Sequence, residues 1–229
     1  MWTIAEIKEK GKAAFKGNYW YCVLMAFLMT IFTVGSSVGT SQKTQEVDVQ
    51  GTINGMSPEE QLTVLLVALG VLGASILIGL LIRVFLVNPI NVGGNAFFMG
   101  NVEDTPAPFG LIKVGFRNYW HNFATLFLRD LYLVLWSLLL IVPGIIKAYS
   151  YRMVPYILAD NPELSPNEVI TRSREMMDGN KWQAFLLDLS FIGWTLLGIL
   201  TLGLVMIFWT APYICNANAA LYVKLRDEA

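Results

Sequence analysis

NYWHNFATLFLRDLYLVLWSLLLIVPGIIKAYSYRMVP, residues 118–155, carries a complete structural plan in one stretch. It opens with Asn118-Tyr119-Trp120 and runs through an apolar segment over 123–142. Pro143-Gly144 interrupts it, and a second apolar segment over 144–160 contains Val154-Pro155. The combined apolar length is too great for one span, because about 20 residues at roughly 1.5 Å each already cross the bilayer hydrocarbon. Proline followed by glycine breaks a helix, so the stretch predicts two antiparallel membrane helices joined by a tight outer turn at 143–144.

Outward from this segment the same plan recurs. Asn18-Tyr19-Trp20 opens an apolar run over 19–39, and Asn180-Lys181-Trp182 opens one over 183–200. Further runs cover 62–87 and 203–222, and Thr201-Leu202-Gly203 divides the 183–200 run from the 203–222 run. Asn88-Pro89 and Ala211-Pro212 match Val154-Pro155, and Pro89 and Pro212 are each followed six residues later by Asn-Ala, at Asn95-Ala96 and Asn218-Ala219. The expected fold is therefore all-α, a polytopic membrane helical bundle of about six transmembrane helices arranged as three hairpins. One membrane domain covers 1–229, with pseudo-repeats at approximately 1–100, 101–160 and 161–229. Repeats of one orientation suggest a pseudo-threefold axis along the membrane normal, a geometry that some transporters use.

Composition agrees. The chain is 55% hydrophobic and 14% charged with a mean hydropathy of +0.53, which sets it apart from ordinary soluble domains. A net charge of -1 offers no basic field for nucleic acid. Lys8, Lys10, Lys12, Lys16, Lys113, Arg117, Arg172, Arg174, Lys181, Lys224 and Arg226 lie before or between hairpins. The 41–60 loop holds Lys43 against Glu46, Asp48, Glu59 and Glu60. By the positive-inside rule both termini are cytoplasmic, with Lys147 as the dissenting basic residue. The small residues Gly35 to Thr40 resemble a signal-peptidase region, but the preceding run is long and the later hairpins repeat its layout, which favours an uncleaved first helix.

Each unit is expected to begin with a capped helix in the headgroup plane. Thr3 with Glu6 and Ser165 with Glu168 have capping-box spacing, and Thr105-Pro106 and Ser165-Pro166 place a cap before proline. Ile4, Ile7, Ala14 and Phe15 share one face, as do Val169, Ile170, Ser173, Met176 and Met177. The middle copy, Phe109 to Phe116, is short and contains Gly110 and Gly115, which weakens it as a helix. Tyr19, Trp20, Tyr119, Trp120 and Trp182 read as interfacial anchors rather than a ligand-stacking box. Gly35 with Gly39, Gly70 with Ala74, and Ser75 with Gly79 allow close contact between the first two spans.

Candidate ligand-binding residues are the charges inside apolar runs: Arg83, Arg129, Asp130, Arg152 and Asp188. A charge at the bilayer centre costs about 2.5–3.5 kcal/mol, so these must pair, snorkel or face water. Three arginines against two aspartates leave one excess positive charge. The functional reading is an inward-facing cavity for an anionic lipid or small anion. The plainer and favoured reading is a set of interhelical ion pairs with snorkelling stems. Catalytic motifs are not expected: Gly35-Ser36-Ser37-Val38-Gly39 lacks the strand-turn-helix context of a nucleophile elbow, and the single histidine, His121, is expected at the opposite membrane face. Gly93-Gly94 lacks the lysine and strand of a phosphate loop, no residue set has metal-ligand spacing, no cofactor is implied, and Cys22 and Cys215 read as free thiols.

The chain resembles domain-of-unknown-function family 975 of bacterial integral membrane proteins. The resemblance spans nearly the whole sequence and is carried by Asn18-Tyr19-Trp20, by Leu135-Trp136-Ser137 through Ile141-Val142-Pro143-Gly144-Ile145-Ile146-Lys147-Ala148-Tyr149, by Met153-Val154-Pro155-Tyr156-Ile157-Leu158-Ala159-Asp160, and by Arg172 through Gly179. It implies a multi-helix fold in the bacterial plasma membrane and supplies no catalytic residues. Two readings of function follow: a non-enzymatic protein that organises the bilayer, binds lipid or binds a partner, and a small carrier of an anionic molecule or lipid. A continuous water path along the intramembrane charges distinguishes them. Protein partners are not legible.

Overall fold

A computed structural model describes residues 2–35 and 56–228, and the described residues contain helices and turns with no strand. The chain order is α1 (Ile4–Gly17), α2 (Tyr19–Gly35), α3 (Pro58–Ile82), a π turn (Arg83–Val87), α4 (Asn88–Glu103), a 3-10 segment (Phe109–Phe116), α5 (Tyr119–Leu139), α6 (Ile141–Ser150), α7 (Val154–Asp160), α8 (Pro166–Met176), α9 (Lys181–Leu189), α10 (Ile192–Leu200), a second π turn (Met206–Thr210) and α11 (Ala211–Glu228).

Among the described residues three helices are long and apolar enough to cross a membrane: Pro58–Glu103, which passes through the first π turn, Tyr119–Leu139, and Lys181–Leu200. Tyr19–Ile31 is apolar but shorter. The expected six spans are not confirmed among the described residues. The 144–160 run is broken by a turn at 151–153 into α6 and α7, and the 203–222 run passes from a π turn into α11. The physical reason is burial: Tyr156, Ile157 and Leu158 of α7 and Ala217, Leu221 and Tyr222 of α11 are apolar because protein covers them, and an apolar run alone does not separate that from lipid contact. Exposed apolar surface lies elsewhere, on α3 from Leu62 to Ile78 and at the hairpin tips Leu138 to Val142 and Ile199 to Leu204.

The core is built from the helices that begin at the X-Pro pairs. α4 packs against both α7 and α11, and Tyr156 of α7 stacks on Tyr222 of α11 at 5.2 Å. Each is covered by an element from elsewhere in the chain: α1 lies on α11, the 3-10 segment on α4, and α8 on α7. The apolar faces of α1 and α8 thus meet protein. Gly11 sits where α1 crosses α11, and a Cβ there would stand 2.7 Å from the Ala217 backbone. Gly115 likewise lies against the Pro89 and Gly93 backbone, so the glycines that weaken the middle copy as an α-helix permit its close packing as a 3-10 turn.

Local signals hold at most boundaries. Thr3 caps α1, and Ser165 with Glu168 forms a full capping box on α8, whose two hydrogen bonds from Ser165 hold the Glu168 carboxyl below the usual carboxylate range. Thr105-Pro106 is different: the bond is cis, the Thr105 hydroxyl donates to the Asn101 carbonyl, and the 3-10 segment starts only at Phe109. The α5–α6 turn falls at Leu140, not at Pro143-Gly144. Pro143 occupies the first turn of α6, where a missing N–H costs nothing, and Gly144 packs against Ser137 across the hairpin. Gly70 and Gly79 make no close helix contact among the described residues, and Gly35-Gly39 extends beyond them.

Pro89 and Pro212 do not end their helices, because a π turn precedes each. Asn88 donates five residues back to Arg83 and Ala211 to Met206. The prolines themselves offer no N–H to the turn before them. Carbonyls in those turns are satisfied from outside: Tyr119 Oη donates to Val84 O at 2.7 Å, and Tyr19 Oη to Phe208 O at 3.0 Å. The tyrosine of the repeated Asn-Tyr-Trp motif is thus a donor to a proline-interrupted helix. Tyr119→Phe is expected to cost about 1–2 kcal/mol, a Tm decrease of roughly 2–8 °C at this chain length. Tyr19→Phe should cost less because its bond is more exposed, and thermal unfolding in detergent measures both.

Candidate functional site

The five charges expected in one layer form two separate groups. In the first, Asp130 on α5 accepts from Arg83 Nη2 at 2.6 Å and from Arg129 Nε and Nη2 at 2.9 and 2.6 Å. Arg83 opens the first π turn, and its side chain is 55% exposed. This group carries one excess positive charge beside a hollow of about 230 Å³ whose wall includes Phe123, Phe127, Leu131 and Val134.

In the second group, Arg152 forms a bidentate pair with Asp188: Nη1 to Oδ2 at 2.8 Å and Nη2 to Oδ1 at 2.6 Å. Nη2 also donates to Asn218 Oδ1 at 2.6 Å, and Tyr149 Oη donates to Asp188 Oδ2 at 2.9 Å. Planar guanidinium matched to carboxylate is the strongest of the common ion-pair geometries. Four elements meet here, α6, the 151–153 turn, α9 and α11. This group has no net charge and its donors are engaged within the protein.

A third constellation was not visible as charge. Asn101 of α4 shares its amide N–H groups among Ala14 O at 2.9 Å, Asn216 Oδ1 at 3.0 Å and Cys22 Sγ at 3.4 Å. Its Oδ1 accepts from Asn18 Nδ2 at 2.9 Å and from the Ala107 N–H at 3.2 Å. Asn216 donates to Pro212 O at 2.8 Å, and Asn18 also donates to Ala107 O at 3.0 Å. All four side chains are buried, and together they fasten the α1–α2 junction to α4 and α11. Cys22 is a free thiol within this network. The signal was present in sequence as asparagines inside apolar or Ala-rich segments, which a search limited to charges passes over.

The motif residues divide by role. Trp20, Trp120 and Trp182 are 73%, 70% and 67% exposed at the starts of α2, α5 and α9, which suits amphipathic rings at a membrane boundary. Asn180 ties α1 to α9 by accepting from Trp2 Nε1 at 2.9 Å. His121 is half-buried and its Nε2 has no hydrogen-bond partner within the described residues.

No curated protein and no solved structure matches this chain. With an all-helical fold, three helices able to cross a membrane, and a match over residues 12–229 to the family described as "Protein of unknown function (DUF975)", the chain belongs to that family.

Proposed function

We propose that this is a non-enzymatic integral membrane protein that organises the bilayer or a partner within it, built from three successive units of one plan. The observation that carries the reading is the mutual pairing of the charges in the apolar segments: each aspartate is saturated by arginine, Asp188 in a bidentate pair. Charges so engaged serve assembly of the bundle. The unit plan is supported by the packing order, in which the element opening one unit covers the proline-started helix of another. Lysine and arginine placement favours both termini in the cytoplasm of a bacterial cell, with the protein in its plasma membrane. Labelling of Glu168→Cys from outside intact cells would contradict that orientation.

A carrier of anions is the second reading, favoured by the excess guanidinium of the Arg83–Asp130–Arg129 group beside its hollow. Flux of small inorganic and organic anions into proteoliposomes separates the two. The expected result is no flux above protein-free vesicles. Protein-dependent flux that disappears in Arg83→Leu would replace the scaffold reading with the carrier.

A further inference from the structure

Lys147, the basic residue at odds with the charge rule, lies with other cations. α6, α8 and the start of α9 enclose a hollow of about 300 Å³ faced by Lys147, Arg174 and Lys181 together with Glu175 and Asp178. A second hollow, of about 290 Å³, shares Lys147, Thr171 and Arg174 and continues to Trp136 of α5. Asp178 is committed to Lys181 at 3.2 Å. Lys147 and Arg174, by contrast, have no hydrogen bond or ion pair within the described residues, and Lys147 is held 4.7 Å over the Trp136 ring. Two unpaired cations beside a third, with a hydroxyl on Thr171, suit an anion with several acceptor oxygens.

The surroundings identify the kind of anion. The hairpin that supplies Lys147 exposes Leu138, Leu139, Leu140, Ile141 and Val142 at its tip, and Ile145 and Ile146 directly before the lysine. Trp182, next to Lys181, is also exposed. A cation cluster at the foot of an apolar, aromatic-flanked surface matches a molecule with a phosphate at one end and acyl chains at the other. We propose that this hollow binds the phosphate of an anionic phospholipid, with Lys147 and Arg174 as its donors and the α5–α6 hairpin receiving the chains. The site is separate from the Arg83 and Arg152 groups and does not depend on their role.

The test uses the full chain in neutral detergent, with binding read from thermal stabilisation during titration. The probes are dioctanoyl phosphatidylglycerol, dioctanoyl phosphatidylcholine and inorganic phosphate. Phosphatidylglycerol should stabilise the protein saturably, with an affinity at least tenfold above that of phosphatidylcholine, and Lys147→Gln/Arg174→Gln should weaken it at least tenfold. Equal affinity for the two lipids, or unchanged phosphatidylglycerol binding in the variant, overturns the proposal. So does inorganic phosphate binding as tightly as the lipid, which would make the ligand a free phosphate. Should the double variant not fold, Arg174→Gln alone, at an exposed side chain without a partner, carries the same test with the same outcomes.

Discussion

Asn101→Leu is expected to produce one of the two largest losses of stability of any single substitution in this protein, about 3–5 kcal/mol. Leucine fills a similar volume but leaves the Asn18 and Asn216 amides, the Ala107 N–H and the Ala14 carbonyl without the partner each has now. These groups are buried, so water does not replace what is lost, and each orphaned group costs on the order of 1–3 kcal/mol. In a chain of this length the Tm should decrease by roughly 6–20 °C. Asn95→Leu is the matched comparison, because that amide donates only within its own helix, to Asn91. A decrease of less than about 3 °C for Asn101→Leu would mean that the network holds nothing together. Adding Asn216→Leu to it should cost less than the separate effects combined, since the first substitution has already removed the donor to Asn216 Oδ1.

That network shows where sequence reading stops. Apolar runs, proline positions and caps are local properties, and α1, α8, α9–α10 and the Thr201 to Gly203 turn lie where the pattern puts them. Whether an apolar helix faces lipid or protein depends on what packs against it, and nothing in the α11 sequence announces that α1 and α4 cover it. The same limit governs the charges. Spacing along each helix puts Arg83, Arg129, Asp130, Arg152 and Asp188 at similar distances from the helix ends, but that is one coordinate, and the ion pairs divide them into two groups. Lys147 lies close to the hairpin turn along the chain. The return arm α6 is only ten residues long, about 15 Å of helix, and ends beside the basic α8 surface. Tyr19 and Tyr119 were legible as interfacial aromatics, but their hydroxyl partners sit on turns 189 and 35 residues away in sequence.

Arg152→Leu is the second large effect and decides what the polar layer is for. Removing the guanidinium leaves Asp188 a carboxylate without its cation, with Tyr149 as its remaining donor. Breaking a buried pair from one side costs about 3–5 kcal/mol, and the 38% exposure of the Asp188 side chain places this case near the lower figure, about 3 kcal/mol. A pair that exists only to hold α9 against α6 and the 151–153 turn has a simple chemical signature: two leucines do the same work. Arg152→Leu/Asp188→Leu should therefore recover most of the lost Tm, because replacing both ions by apolar side chains of similar size is close to neutral or favourable. A pair retained for a ligand behaves otherwise, since the double variant would regain the fold but lose the ligand. Thermal unfolding of the two single variants and the double one, together with anion flux for the double, reads both quantities. Recovery of Tm with flux equal to that of the unsubstituted protein leaves the pair a structural fastening, and recovery of Tm with flux lost relative to it assigns the pair to a ligand. Failure of the double variant to recover would show that Arg152 is needed for more than Asp188, and its 2.6 Å bond to Asn218 on α11 is the contact to examine next.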